Sequence, residues 1–136
     1  MKKLFSSKYS ANAVNAGMLI LRLGLGSLIL AGHGFQKITH FSETAQHMPN
    51  LLGMGGTVNA ALIIFAEFFC SLFLILGLFT RFACIPLIIA MSVALYKVAH
   101  LNFLGQGQLA SLYLTGFIAI LLIGPGKVSV DGMMGK

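Results

Sequence analysis

Charge is what this chain has least of. Lys, Arg, Asp and Glu make up 9% of its 136 residues, against about 25% in a soluble globular domain. Only three residues are acidic, tryptophan is absent, and there are two cysteines and three prolines. Each shortage excludes something. So few charges cannot clothe the core of a soluble protein, and a disordered chain would be polar and highly charged. Cys70 and Cys84 lie inside apolar runs with no CxxC or Cys/His spacing, so the sequence offers no metal-ligand pattern. It also lacks a nucleophile elbow, a P-loop and a dinucleotide-binding glycine pattern. No flavin, haem or iron–sulfur motif is present, so any electrons must come from elsewhere. The net charge is +6, but its basic residues form no stripe and have no interleaved aromatics, which argues against nucleic acid. Without tryptophan, an interfacial aromatic belt must rely on tyrosine and phenylalanine.

What is there is hydrocarbon. Hydrophobic residues make up 57% of the chain, and the mean hydropathy is +0.91. A membrane-spanning helix takes roughly 20 apolar residues, so four would use about 80 positions. The pattern predicts a single all-α domain over 1–136, an integral membrane four-helix bundle. Its spans fall at about 13–33, 58–78, 82–99 and 108–124, with an extracytoplasmic loop at 34–56. Runs such as Leu72 to Leu76 and Ile118 to Ile123 have no polar face, unlike soluble amphipathic helices. In the long loop, Ile38, Phe41, Ala45 and Met48 recur at helical spacing, which suits a short amphipathic helix on the membrane. Pro49 and the glycine-rich run at 53–56 then break it. Met1-Lys2-Lys3 has the basic start of a signal peptide. The apolar run after it contains Arg22 and has no small-residue cleavage site, so it reads as a retained first helix. Four spans place both termini on one side. Lys2, Lys3, Lys8, Arg81, Lys127 and Lys136 gather there, against Lys37 and Lys97 on the other, which predicts cytoplasmic termini.

Two charges fall inside spans, Arg22 and Glu67. Each costs about 2.5–3.5 kcal/mol at the bilayer centre on the insertion scale. Counted from the inner ends of their helices, they lie about 13 and 16 Å deep. That predicts an Arg22–Glu67 ion pair, either a structural clasp fixing helix register or part of a proton, ion or redox site. Each span also carries a polar strip. His33, Gln36, Lys37, Asn59, Tyr96, Lys97, His100 and Gln108 concentrate toward the outer end. Convergence of these strips in a bundle predicts an outward-facing polar cavity. Its cationic and imidazole lining would suit an anion or the carbonyls of a bound quinone. Plainer roles are open for the same residues: Lys97 can snorkel to headgroups, Asn59 can cap a helix, and His33 and His100 can be ordinary interfacial residues. A stripe of Ala13, Gly17, Gly24 and Ala31 permits close helix approach, within the bundle or in a homo-oligomer. Cys70 and Cys84 differ in depth by about 7 Å, which predicts two free thiols.

Several motifs carry a resemblance. Leu21-Arg22-Leu23-Gly24-Leu25-Gly26 is followed by His33-Gly34-Phe35-Gln36-Lys37. Ala66-Glu67 is followed by Leu76-Gly77-Leu78-Phe79-Thr80-Arg81. The third span has Ala94 and is followed directly by His100, and Gly124-Pro125-Gly126-Lys127-Val128-Ser129-Val130-Asp131 closes the fourth. In order and spacing, from about residue 16 to 131, these resemble the DoxX family of small four-helix bacterial membrane proteins. The resemblance implies a multi-pass protein of the bacterial inner membrane, with Arg22, Lys37, Glu67 and His100 at the family's recurring polar positions. It implies a subunit or accessory of a quinone- or thiol-linked membrane oxidoreductase, with a redox-protein partner. Many members carry a glutamate where this chain has Gln108, so a carboxylate role there does not carry over. The alternative is a non-enzymatic small-solute transporter or a membrane assembly or scaffold factor.

Overall fold

The computed structural model describes residues 2–47, 53, 55–98 and 100–135, and among them every regular element is helical. Met48 and Pro49 of the expected loop, Ala99 at the expected end of the third span, and Lys136 lie outside the described residues. We label the helices in chain order. α1 is one continuous helix, Ala11–Thr39, and α2 is Phe41–His47. α3 is Gly56–Leu76 and α4 is Thr80–Lys97. α5 is Gln108–Ile123, and α6 is the short Val130–Met133. By length and apolarity α1, α3 and α4 can each cross a membrane; α5 is equally apolar but has 16 residues, about 24 Å of helix.

Local chemistry sets the ends. Ser10 caps α1 by accepting from the Ala13 N–H at 3.2 Å. Gly77, at φ 72°, closes α3 in the left-handed conformation. There the Leu78 N–H reaches Phe73 O (2.9 Å) and the Gly77 N–H reaches Leu74 O (3.2 Å), the Schellman pattern. Pro86 lies inside α4, past the first turn where a missing N–H costs least, so the helix forgoes one backbone bond there, the one to Phe82 O.

The interior is formed by residues such as Ile29, Leu74, Leu87, Phe117 and Ile120, all essentially without exposure. α4 and α5 form the most extensive helix pair, and α1 packs on the second half of α3. Large apolar side chains also cover the outside, among them Leu28, Ile89, Leu112 and Leu122. In water such a surface would be an aggregation liability; in lipid it is the expected solvent-facing side.

Three helices carry π-turns: Leu30–Gly34 in α1, Phe65–Cys70 in α3 and Ala94–Val98 at the end of α4. The first two pack against each other. Gly34 makes that possible, because a Cβ there would stand 2.7 Å from Glu67 O and 3.0 Å from Phe68 Cα. Ser71 accommodates the disturbed ladder, its hydroxyl donating to Glu67 O (2.5 Å) and Phe68 O (2.8 Å). Gly34→Ala should therefore lower stability by about 1–3 kcal/mol through overpacking. Melting of the purified protein in detergent checks it, with the outward-facing Gly24→Ala, which meets nothing within 4 Å, as the silent control.

Candidate functional site

The two buried charges singled out from the sequence go to two different places. Arg22 is 1% exposed and lies at the α3–α4 turn. Its Nη1 donates to Leu74 O and Ile75 O, each at 3.4 Å, and its Nη2 donates to Val128 O. A cation thus sits on the last carbonyls of α3, where the helix dipole is negative. The mirror arrangement holds the next helix. The Asp131 carboxylate accepts from the Phe79 and Thr80 N–H groups, both at 2.9 Å, at the start of α4, where an anion is favoured. The Asp131 N–H donates to Gly77 O at 2.9 Å, and the Asp131 charge acts favourably on Arg22. Ser129 caps α6 through the Gly132 N–H (2.9 Å), and Asn15 of α1 accepts from the Lys127 N–H (3.0 Å). The 124–131 segment is therefore a strap that ties α1 to the α3–α4 turn. Both motifs around that turn serve it.

Glu67 instead pairs with Lys37. Nζ donates to Oε2 at 2.6 Å, the only ion pair among the described residues; the glutamate side chain is 5% exposed and the lysine 29%. Glu67 lies about 16 Å along the helix from Gly56 and about 14 Å from Leu76, so the pair sits near the middle of α3. Four residues before Lys37, hence on nearly the same face of α1, His33 meets the ring of Tyr113 from α5 edge-on, with centroids 6.2 Å apart. Tyr113 stacks in turn on Phe117.

The expected Arg22–Glu67 pair is thus corrected. Depth counting set Arg22 opposite Glu67, but Arg22 lies beside Leu74 and Ile75, seven or eight residues further along α3. The reason is that α1 starts well outside the α3–α4 turn, its first turns resting on the strap: Gly126 approaches Met18 and Asn15. It then runs six residues past the expected end at 33, so Lys37 lies in the helix rather than in a loop. Asp131 was passed over because it belongs to a polar tail; the signal available was that the chain holds only three acids to meet its buried cations.

The eight residues expected to line an outer cavity are distributed among several places. Lys37 is in the ion pair, and His33 is on Tyr113. Asn59 is buried at the head of an apolar groove between α3 and α4. Tyr96, Lys97 and His100 share a shallow pocket of about 380 Å³ with Leu101, with Lys97 Nζ 5.3 Å from the Tyr96 ring centroid. Gln36 and Gln108 are exposed. Cys70 and Cys84 are buried free thiols, and no metal-binding group of His, Cys, Asp or Glu occurs among the described residues.

A family model described as DoxX matches residues 17–100, more than half of the chain. The chain belongs to the DoxX family. No curated protein and no solved structure matches it. The matched range of this DoxX protein takes in Arg22, His33, Lys37 and Glu67 but stops short of Asp131. The strap that completes the Arg22 cluster thus lies beyond the matched domain, while the mid-helix pair lies wholly inside it.

Proposed function

We propose that this DoxX protein spans the bacterial inner membrane four times, with cytoplasmic termini, as a subunit or accessory of a quinone- or thiol-linked oxidoreductase. The fourth span is α5, short but without a charged residue. The orientation rests on Lys8, Arg81 and Lys127 at one end of the bundle. The redox reading rests on the Lys37–Glu67 pair. Holding Glu67 mid-helix in lipid is costly even with Lys37 reaching it from the last turn of α1, and an ionisable group at such depth reads first as a functional site; this fold already has a clasp at Arg22. π-turns also occur disproportionately at functional sites, and two of them meet here. Lys37 and His33 supply donors for a quinone carbonyl or a sulfur anion, and Glu67 supplies a carboxylate able to take up or release a proton. Electrons come from a partner protein, and the bundle contributes binding, orientation and proton handling.

The test is quinone turnover in membranes carrying the protein with its partners. Glu67→Gln and His33→Leu should each lower the rate at least tenfold, as loss of a positioned proton donor or acceptor does. Undiminished rates in both variants would overturn the redox reading in favour of a transporter or assembly factor.

A further inference from the structure

The lipid-facing side of the α3–α4 pair carries a furrow that runs between two chemically different ends. Its outer half, about 330 Å³, is walled by Leu62, Phe65, Pro86 and Ile89. Its inner half, about 420 Å³, is walled by Phe73, Phe79 and Phe82 and has no polar lining. Phe65 and Pro86 border both halves, so the two are continuous. Phe79 and Phe82 in turn border a polar recess of about 810 Å³ lined by Arg81, Lys127, Asn15 and Asp131.

We propose that this furrow and recess bind one anionic phospholipid from the leaflet at the strap end. The headgroup phosphate lies between Arg81 and Lys127, and one acyl chain lies along the furrow. Charge complementarity favours this occupant. Arg81 and Lys127 are both exposed. Asp131, the one acid at this end among the described residues, has both carboxylate oxygens occupied by backbone N–H groups. Two exposed cations against this one buried carboxylate leave the recess with net positive charge toward the headgroup layer, the arrangement that recruits acidic lipids. Length agrees as well. From Asn59 to Phe73 the furrow follows about 21 Å of helix, more than the roughly 15 Å depth of one leaflet's hydrocarbon. A bound lipid would also cover the strap, whose link from Arg81 to Ile123 O is long at 3.4 Å.

The absence of tryptophan gives a clean reporter. Phe82→Trp places a single indole at the junction of furrow and recess. Its fluorescence is quenched by brominated lipid in vesicles of phosphatidylglycerol or of phosphatidylcholine. The expected result is stronger quenching by phosphatidylglycerol, saturating at low mole fraction. Arg81→Gln and Lys127→Gln in that background should each reduce the preference about fivefold, the weight of one basic residue near a charged surface. Arg81→Lys, which keeps the charge, should retain it. Equal quenching by the two lipids, or a preference untouched by the two glutamine variants, would overturn the proposal.

Discussion

Replacing Arg22 with methionine is expected to cost about 3–5 kcal/mol, the range for breaking a buried charge cluster from one side. The guanidinium of a side chain only 1% exposed holds three carbonyls belonging to two chain segments, the end of α3 and the strap. Without it, the last carbonyls of α3 and Val128 O lose a donor in a water-poor site, and Asp131 loses the cation in its field. Arg22→Lys keeps the charge but not the fork, since a single ammonium serves one side of the gap and not both. It should fall between wild type and methionine. Combining Arg22→Met with Glu67→Gln sharpens the test. The two residues share no partner and are separated by about 10 Å along α3, so their effects should add within about 0.5 kcal/mol. Unfolding in mixed micelles measures all four proteins. A coupling energy well above that value would restore the direct pair and refute the two-cluster arrangement.

The membrane class and the helix positions were legible in the sequence because both depend on hydropathy alone. α3 and α4 begin and end within two residues of the expected spans. The pairing of charges was not legible, because it depends on the relative height of two helices, which no single helix encodes. Gly32-His33-Gly34 has the composition of a terminator. Here Gly34 is inside α1 because the backbone of Glu67 occupies the space its side chain would need. That close approach is a tertiary fact, and it adds two helical turns to what hydropathy assigns. The π-turns then shift the facing register by amounts that a uniform 1.5 Å rise misses. His33, Lys37 and Glu67 were all singled out on residue chemistry, yet their grouping required the extended α1. Tyr113 was not singled out, since an aromatic in an apolar helix carries no signal of its own until His33 is seen against it.

Lys37→Met should destabilise the folded protein in lipid by about 3–5 kcal/mol, because it leaves the Glu67 carboxylate uncompensated at mid-helix. Glu67→Gln should cost less, since the Lys37 stem can swing its ammonium toward water and its side chain is already partly exposed. Joining the two, Lys37→Met/Glu67→Gln removes both ions together. Buried pairs exchanged for neutral groups of similar volume are commonly neutral or stabilising, so the double variant should recover to within about 1 kcal/mol of wild type. Stability and turnover then separate the two meanings of the pair. If it only fixes helix register, the recovered double variant should recover quinone turnover as well. If it is the proton-handling part of the site, the double variant should fold like wild type and remain at least tenfold slow, because no carboxylate stands where Glu67 stood. We expect the second outcome: the strap already fixes α1 against the α3–α4 turn, and a second ionic fastening midway along α3 is not needed to hold the same two helices.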